Sequence, residues 1–439
     1  MIFYVICVTI FMTIVLMPTV YFLFDRLTYY IFAGGITVQD KQWMKPRHRL
    51  VRTLLLPIFS LYVKAKYHID IENFRNQQNR PYLILYNHQT AFDQFFVDIS
   101  FKGPIYYLAT EDIFSMGFVS SIIRYLVAPI PIKKQTMDLS AVKTCIRVAR
   151  EGGSIAIAPE GNRTYSGRTE YINPSIAALA KKLALPIVLY RIEGGYGIHP
   201  RWSNVVRKGR MRSFVSEVIM PEDYAHLSKD ELYDRIRRGL YVNEADDECV
   251  YRHTHRAEFL ERLIYVCPDC GLSTFESDKD RITCVKCGKT VTYEPTTRLR
   301  CVDCDFPFTY VADWYDYQED YVNRLDLNAC CDRPMYRERV NLYEVILYKK
   351  KRLIKKDVEI CLYGDRMSVY GAEDVDDNWT FDHLSAVTVL GKNKLNIYVD
   401  DKVYQIKGSD RFNALKYVHM YHRCKNIQRG DVNGKFLGL

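Results

Sequence analysis

The residues with the clearest chemical potential lie in the stretch PYLILYNHQTAFDQFFVDIS, residues 81–100, where His88 follows an apolar run and Asp93 comes five residues later. A carboxylate at this spacing can accept the Nδ1 proton of the imidazole and leave Nε2 as a base. These are the base and the orienting residue of a catalytic triad. Because no Ser or Cys pairs obviously with His88, the nucleophile can be a hydroxyl of the substrate. A histidine with only a structural role is the alternative.

A second polar cluster occurs in APEGNRTYSG, residues 158–167, where Glu160, Gly161, Arg163 and Thr164 follow another apolar run. Glycine lets a ligand approach the backbone closely, and the planar guanidinium of arginine provides a rigid fork for a phosphate. The cluster therefore predicts anion binding. A simple turn that opens a helix is the alternative.

Short apolar runs alternate with helical patterns between residues 67 and 220. The runs are rich in β-branched residues and are bounded by Gly and Pro: YLILY, GPIYYLA, VAPIPI, GSIAIAP and LPIVLYRI. This pattern is typical of an α/β domain with a mixed or parallel sheet, largely buried, and flanking helices. Functional residues of such domains lie at strand ends, and both polar clusters lie at the end of an apolar run.

The two motifs together resemble a known family. NHX4D followed by PEGxRT/S, with this order and spacing, resembles the glycerolipid acyltransferase family, which includes 1-acyl-sn-glycerol-3-phosphate acyltransferase. The resemblance covers roughly residues 40–245. It implies that His88 and Asp93 are the catalytic dyad. It also implies that the second motif binds the glycerol phosphate of the substrate through Glu160, Gly161, Arg163 and Thr164.

Two further blocks of that family have counterparts here. PIPIKK offers Lys134 where the family commonly has Arg, and Lys133 stands in place of the preceding acid. Lysine keeps a positive charge for the phosphate but supplies a point charge instead of a fork. A later block around Pro186 is architectural. Asn162 replaces the usual Thr, which leaves the role of that side chain open.

The resemblance implies transfer of an acyl chain from a thioester to the sn-2 hydroxyl of 1-acyl-sn-glycerol 3-phosphate (lysophosphatidate), giving phosphatidate. The donor is acyl-coenzyme A or acyl carrier protein, and no catalytic cofactor is implied. His88 would be the general base, and Asp93 would hold its tautomer. Glycerol 3-phosphate or another lysophospholipid is the alternative acceptor. A membrane-tethered scaffold without catalysis is the alternative from another class.

The N-terminal residues 1–66 predict membrane attachment. Met1 to Phe24 carries no charged side chain, and as a helix it would be about 36 Å long, more than a bilayer core of about 30 Å. The basic residues that follow place the bulk of the chain on the cytoplasmic side and favour an anionic membrane surface as a partner. TLLLPIFSLYV suits either the interface or a buried core helix. A cleaved signal peptide is the alternative for the first segment, and we expect no nucleic-acid partner.

The cysteine-rich region predicts structural zinc. Two CxxC knuckles form a zinc-ribbon pattern, with a redox motif or rubredoxin-like iron as alternatives: Cys267, Cys270, Cys284 and Cys287. A second, less regular set predicts a second zinc ion, with exchange of ligands between the sets as a variant: Cys301, Cys304, Cys330 and Cys331. His253 and His255 lie near the first knuckle, but four cysteines make them unnecessary as ligands.

These patterns divide the chain into five parts. Residues 1–66 form the membrane anchor and basic interfacial segment, and 67–245 form the acyltransferase-like domain. A helical linker, 246–265, leads to the zinc-ribbon region, 266–335. Residues 340–428 alternate strands and end with one helix, which resembles a small pleckstrin-homology-like β domain. Its KKKRLIKK stretch, residues 349–356, suits either an anionic membrane or a solvated hairpin loop.

Overall fold

The computed structural model describes residues 42–132, 139–244, 249–301, 305–346, 349–371, 378–400, 402–431 and 434–436. The predicted membrane segment, Met1 to Phe24, lies outside the described residues. Within the described ranges, no helix is both long and apolar enough to cross a membrane. Helices and strands are numbered below in chain order.

A seven-stranded mixed sheet forms the centre of the first domain, with strand order β1-β7-β6-β2-β5-β3-β4. The strands are β1 Ile69–Ile71, β2 Leu83–Tyr86, β3 Ile105–Thr110, β4 Ile130–Ile132, β5 Ser154–Ile157, β6 Ile187–Glu193 and β7 Met211–Ile219. Neighbours pair in parallel except β6 and β7, which are antiparallel. The five apolar runs in the sequence are β2 to β6. The predicted α/β class with a mixed sheet and flanking helices is confirmed.

Helices cover both faces of this sheet. They are α1 Pro46–Tyr67, α2 Asp93–Ser100, α3 Phe118–Val127, α4 Leu139–Arg150, α5 Ser175–Leu183, α6 Gly195–Ile198, α7 Pro221–Tyr224 and α8 Lys229–Leu240, with a 3-10 helix at Glu111–Ser115. Buried residues of α4, α5 and α8 form the core on one face, and those of α1 and α2 form the core on the other. The central strands are apolar throughout because both of their faces are covered.

The predicted helical linker, residues 246–265, is not an α-helix in its described part. It contains one short 3-10 helix, Leu260–Arg262, and Phe259 has a left-handed φ of 71°, which interrupts an α-helix. The amide of Ala257 donates to the carbonyl of Lys279. The helical prediction is wrong here because hydrogen bonds to the following β10–β11 hairpin, such as this one to its turn, replace those of a helix.

Short strands fill the cysteine-rich region. They are β8 Val266–Cys267, β9 Gly271–Leu272, β10 Phe275–Asp278, β11 Arg281–Cys284, β12 Thr290–Tyr293 and β13 Leu299–Arg300, followed by α9 Val311–Asn323 and a 3-10 helix, Asn328–Cys330. Strands β8 and β9 form one hairpin, and β10 to β13 form a four-stranded antiparallel sheet. The two CxxC knuckles lie at the ends of these hairpins.

Seven antiparallel strands and one helix form the C-terminal domain. They are β14 Tyr336–Val345, β15 Arg352–Leu362, β16 Arg366–Tyr370, β17 Asn378–Thr380, β18 Leu384–Leu390, β19 Lys394–Val399, β20 Lys402–Lys407 and α10 Leu415–Gln428. Their order in the sheet is β17-β16-β15-β14-β20-β19-β18. The domain begins slightly before the predicted boundary at residue 340. A β-rich region closed by one helix is therefore present, while its likeness to a pleckstrin-homology domain stays a prediction.

One hydrophobic core joins the cysteine-rich region to the C-terminal domain. It contains Val266 of β8, Trp314 of α9 and Leu342 of β14, and it extends to Tyr165 in the second polar motif of the α/β domain. The later parts of the chain therefore pack directly beside that motif.

Candidate active site

The histidine and aspartate predicted as a pair lie at the carboxyl end of β2. His88 follows the strand closely, and Asp93 is the first residue of α2. Nδ1 of His88 lies 2.7 Å from Oδ2 of Asp93. The Asp93 side chain is fully buried, whereas that of His88 is 24% exposed. The structure therefore brings the two residues together. Because Nδ1 contacts Asp93, Nε2 is the ring nitrogen of His88 that can accept a proton from a substrate.

The turn between the two residues holds the Asp93 carboxylate. Oδ2 accepts from the amide of Gln89 at 2.7 Å. Oδ1 accepts from the Thr90 hydroxyl at 2.7 Å and from the Thr90 amide at 2.9 Å. These bonds compensate for the burial of the charge. They also fix the carboxylate in place, so its bond to the imidazole selects one ring orientation.

The same turn is fixed to the neighbouring strand. The Asn87 amide nitrogen donates to the carbonyl of Ile192 at 2.8 Å, and the Ile192 amide donates back to Oδ1 of Asn87 at 2.7 Å. Farther along, the amide of Tyr196 donates to Oε1 of Gln89 at 3.1 Å. Asn87, to which the sequence analysis assigned no role, thus locks the ends of β2 and β6 together.

Glu160 has a different position from the predicted phosphate contact. Its Oε1 accepts from the amide of His88 at 2.7 Å, and its Oε2 accepts from the amide of Glu170 at 2.7 Å. Burial raises the pKa of Glu160 well above its usual value, and these two backbone bonds oppose that rise. Both oxygens are engaged with backbone, so Glu160 joins the two polar motifs. A partner that is a backbone amide leaves no mark in the sequence.

Thr164 and Gly161 belong to the turn of the second motif. The Thr164 hydroxyl donates to the carbonyl of Arg168 at 2.5 Å and accepts from the amide of Gly167 at 2.9 Å. This buried hydroxyl therefore closes the turn instead of facing a ligand. Gly161 has a φ of 69°, and a Cβ there would meet nothing within 4 Å. Its backbone is open to approach, as the sequence predicted.

Arg163 is the residue of the second motif that remains available to an anion. Its Nη1 is buried and has no hydrogen-bond partner among the described residues. Burial and the nearby Arg201 lower the pKa of Arg163 to about 10, while the Asp93 carboxylate acts in the opposite direction. The predicted phosphate-binding role of Arg163 is thus compatible with its surroundings. Lys134, the other predicted phosphate ligand, lies outside the described residues.

Two residues beside the dyad were not identified from the sequence as site residues. The hydroxyl of Tyr67, at the end of α1, lies 3.1 Å from Nδ1 of His199, at the end of α6. His199 is 7% exposed, and its Nε2 has no partner in the described part of the chain. Burial lowers the pKa of His199 well below its usual value, as do the cations Lys392 and Arg163. Neither residue lies in a motif, so no spacing pattern marks them.

A cavity of about 380 Å³ lies behind the second motif. Its lining includes Tyr165 of the motif, Glu170 shortly after it, and Tyr315 and Glu319 of α9. Burial raises the pKa of Glu170 to about 7 and that of Glu319 to about 8. His88 is not among the lining residues, so the dyad opens elsewhere.

The first cysteine set is assembled in one place. The sulfur atoms of Cys267, Cys270, Cys284 and Cys287 all lie within 4.8 Å of one another. Those of Cys267 and Cys287 are 3.8 Å apart. With a Zn–S distance of about 2.3 Å, two sulfurs of a tetrahedral site are about 3.8 Å apart. Four cysteine sulfurs with this spacing fit a zinc ion.

The second cysteine set is not assembled among the described residues. Cys301 is disulfide-bonded, and a sulfur in a disulfide is not a thiolate ligand. Cys330 and Cys331 are free and belong to no group of potential metal ligands in the described ranges. Cys304 lies outside those ranges. The described geometry therefore gives no support to the predicted second zinc site.

Comparison with known proteins finds a family similarity in the first domain. Residues 68–193 match the family model described as Acyltransferase. This part of the chain is therefore similar to an acyltransferase domain. Both polar motifs and the dyad lie inside the matched range. The linker, the cysteine-rich region and the C-terminal domain lie after it.

Three curated relatives are similar to this chain. A 1-acyl-sn-glycerol-3-phosphate acyltransferase of Bacillus subtilis is 24% identical over 127 residues, which is 29% of this chain and 60% of the relative. A chloroplastic enzyme of that name from Brassica napus is 22% identical, covering 41% of this chain and 53% of the relative. An enzyme of the same name from Borreliella burgdorferi is 30% identical, covering 27% of this chain and 48% of the relative. The chain thus spans about half to 60% of the length of these relatives.

A solved structure is also similar. The 1-acyl-sn-glycerophosphate acyltransferase PlsC of Thermotoga maritima has 20% sequence identity and a TM-score of 0.37, covering 51% of this chain and 92% of that one.

The position of Glu160 yields a prediction. In the variant Glu160→Gln, an amide has one acceptor oxygen for two backbone donors, so one buried donor loses its partner. We expect the free energy of unfolding to fall by about 1–3 kcal/mol. We also expect kcat for acyl transfer to fall while the KM for the acceptor stays unchanged, because Glu160 holds the His88 turn. Thermal unfolding and steady-state kinetics measure both effects. The exposed Glu222→Gln is the control, and a rise in acceptor KM alone would indicate a phosphate contact after all.

Proposed function

We propose that the chain transfers an acyl group from a thioester to the sn-2 hydroxyl of lysophosphatidate, giving phosphatidate. Nε2 of His88 takes the hydroxyl proton, the oxygen attacks the thioester carbonyl, and the carbon–sulfur bond breaks to release the thiol, which receives the proton. Asp93 keeps the proton of His88 on Nδ1. No catalytic cofactor is needed for these steps, and the donor is acyl-coenzyme A or acyl carrier protein.

The observation that carries the proposal is the 2.7 Å contact between His88 and a fully buried Asp93 within the matched acyltransferase range. The Asp93 carboxylate accepts hydrogen bonds from Gln89 and Thr90, and because it is fixed in this way it holds the imidazole in one orientation. The names of the relatives support lysophosphatidate as the acceptor. A buried nitrogen of Arg163 has no partner in the described part of the chain, which supports recognition of an anionic acceptor, and the sequence adds Lys134 in the same role.

Glycerol 3-phosphate or another lysophospholipid is the second candidate acceptor, because the dyad requires only a hydroxyl beside an anion. A non-catalytic scaffold is disfavoured, because a scaffold does not require a histidine oriented by a buried carboxylate whose two oxygens both accept hydrogen bonds.

The dyad yields a direct prediction. We expect purified His88→Ala to lower kcat for acyl transfer to lysophosphatidate by about 10²–10⁴-fold, because removal of a general base costs this much. Asp93→Asn should also lower kcat, since the amide can turn an N–H toward Nδ1. The control is His226→Ala, at an exposed histidine far from the dyad in sequence. Activity of His88→Ala close to that of the parent would contradict the mechanism.

We also propose one structural zinc ion, held by Cys267, Cys270, Cys284 and Cys287. The support is the 3.8 Å sulfur spacing and the position of each knuckle at the end of a hairpin. The ion would tie the β8–β9 hairpin to the β11–β12 hairpin. Because such ligands assemble only in the folded chain, metal binding would add to the stability of this region.

Elemental analysis tests the zinc proposal. We expect one zinc per chain in the parent, no zinc in Cys284→Ser, and a lower thermal unfolding midpoint after the metal is removed by a chelator. Cys331→Ser is the matched control, because Cys331 is a free cysteine outside the first set. Two zinc ions per chain, with one lost in Cys331→Ser, would instead restore the second predicted site. A parent without zinc would contradict the proposal.

We further propose that α1 and α3 rest on an anionic membrane, with the bulk of the chain on the cytoplasmic side. Leu50, Leu54, Ile58 and Leu61 are exposed on α1, and their spacing places them along one side of the helix. On α3, which packs against α1, Phe118 is 75% exposed. The backbones of Met116, just before α3, and Lys350 form an isolated antiparallel β-bridge. The basic run 349–356 therefore lies beside the exposed apolar side chains of α3. Apolar side chains next to lysines suit a surface of anionic lipid.

Hydrogen exchange tests this membrane face. We expect peptides from α1, α3 and residues 349–356 to exchange more slowly when the full chain is moved from detergent into vesicles containing phosphatidylglycerol. Leu61→Glu should reduce this protection, because it places a charge in the apolar surface. Ile427→Glu, at an exposed apolar residue of α10, is the control. Equal protection in vesicles of pure phosphatidylcholine would argue against the basic run as a lipid contact.

A further inference from the structure

A turn of the C-terminal domain reaches into the acyltransferase domain. Arg201 donates from Nε to the carbonyl of Gly391 at 2.9 Å and from Nη2 to that of Val389 at 3.0 Å. Lys392, the next residue of the β18–β19 turn, donates to the Ser203 carbonyl and to Oδ1 of Asn204. These bonds fix the position of the turn on the acyltransferase domain.

The same arginine connects the turn to the second motif. Nη1 of Arg201 donates to the carbonyl of Arg163 at 3.3 Å. One guanidinium therefore holds both Gly391 and Arg163. Its Cζ atom also lies over the ring of Tyr165, 4.1 Å from the centroid. Lys392 and Arg163 are thus carried by neighbouring segments that a single side chain links.

Two buried nitrogen atoms of side chains that interact electrostatically with Lys392 have no partners among the described residues. They are Nη1 of Arg163 and Nε2 of His199. His199 is more than nine-tenths buried, and its other nitrogen is engaged with Tyr67. Buried polar atoms normally have a partner, because an unpaired one costs about 1–3 kcal/mol. A bound ligand with oxygen atoms that accept hydrogen bonds would supply the missing partners.

Several cations meet here, and the Asp93 carboxylate is the acid that acts on Arg163. Burial, and then the nearby cations Arg163, Arg262 and Lys66, together lower the pKa of Lys392 to about 7. Lys66 lies at the end of α1, with Nζ 4.5 Å from the ring centroid of Phe92, next to the dyad aspartate. An ammonium has three donors, so two bonds to Ser203 and Asn204 leave one. A bound anion would offset the repulsion among these cations.

We propose that the β18–β19 turn completes the acceptor pocket, with Lys392 and Arg163 binding the phosphate monoester of the acceptor and His199 lining its floor. This inference rests on the proposed function for the identity of the acceptor. In lysophosphatidate the phosphate is on the carbon next to the sn-2 hydroxyl. A phosphate held beside Arg163 therefore presents that hydroxyl to His88, which lowers the entropic cost of reaction.

The variant Lys392→Met in the full chain tests this pocket, since it removes the charge and keeps the length of the side chain. We expect the KM for lysophosphatidate to rise about 10–100-fold, the effect of losing a hydrogen bond to a charged group. Transfer to 1-monoacylglycerol, which lacks the phosphate, and the KM for acyl-coenzyme A should not change. Lys407→Met, at an exposed lysine of β20, is the matched control.

An unchanged acceptor KM would overturn the inference. So would an equal loss with 1-monoacylglycerol, which indicates a structural role, or a rise only in the KM for acyl-coenzyme A, which assigns Lys392 to the donor phosphates. If the parent does not acylate lysophosphatidate, the proposed function fails, and calorimetric titration with glycerol 3-phosphate still tests the pocket. Binding to the parent and to Lys407→Met, but about 10–100-fold weaker to Lys392→Met, supports it. No binding to the parent overturns it.

Discussion

Two buried carboxylates hold the loop after β2, and the geometry of the site depends on them. Asp93 gathers the amides and hydroxyl of the 88–93 turn and the imidazole of His88. Glu160 holds the backbone of His88 from the other side and ties it to the second motif. A buried carboxylate is stable only when its oxygens are bonded. The need to satisfy these two groups therefore fixes the loop, and the loop fixes the histidine.

The later parts of the chain are integral to this arrangement. The cysteine-rich region and the C-terminal domain share one core, and that core includes Tyr165 of the second motif. The rings of Tyr165 and Tyr315 of α9 are stacked 6.3 Å apart, and Arg168 forms an ion pair with Asp313 at 3.3 Å. The matched family range, residues 68–193, thus makes up only part of the structure around the site. Under the proposals above, the zinc-bound hairpins support α9 and the C-terminal domain supplies Lys392.

Charge and apolar surface are segregated in a way that suits an amphipathic substrate. Cationic side chains gather around Arg163 and His199, while apolar side chains are exposed on α1 and α3. α1 contributes to both the cationic cluster and the apolar surface, because its exposed side carries leucines and its last turn carries Lys66 and Tyr67. In the proposed function, a lipid whose acyl chain stays in the membrane would place its headgroup at the end of this helix. The acyl chain and the phosphate would then be recognised by one element.

The sequence by itself determined the α/β class, five of the seven strands and the dyad, because apolar runs and short-range motifs are local signals. His88 and Asp93 are joined by a five-residue turn, and the cysteines of the first set come in two short knuckles. Strands β1 and β7 and the non-helical linker were decided by long-range hydrogen bonds and packing. The same is true of Glu160, whose partners are backbone amides, and of Lys392, which is brought to Arg163 from more than two hundred residues away. Only the tertiary structure decides such contacts, because a buried charge takes whichever partner the packing of distant segments provides.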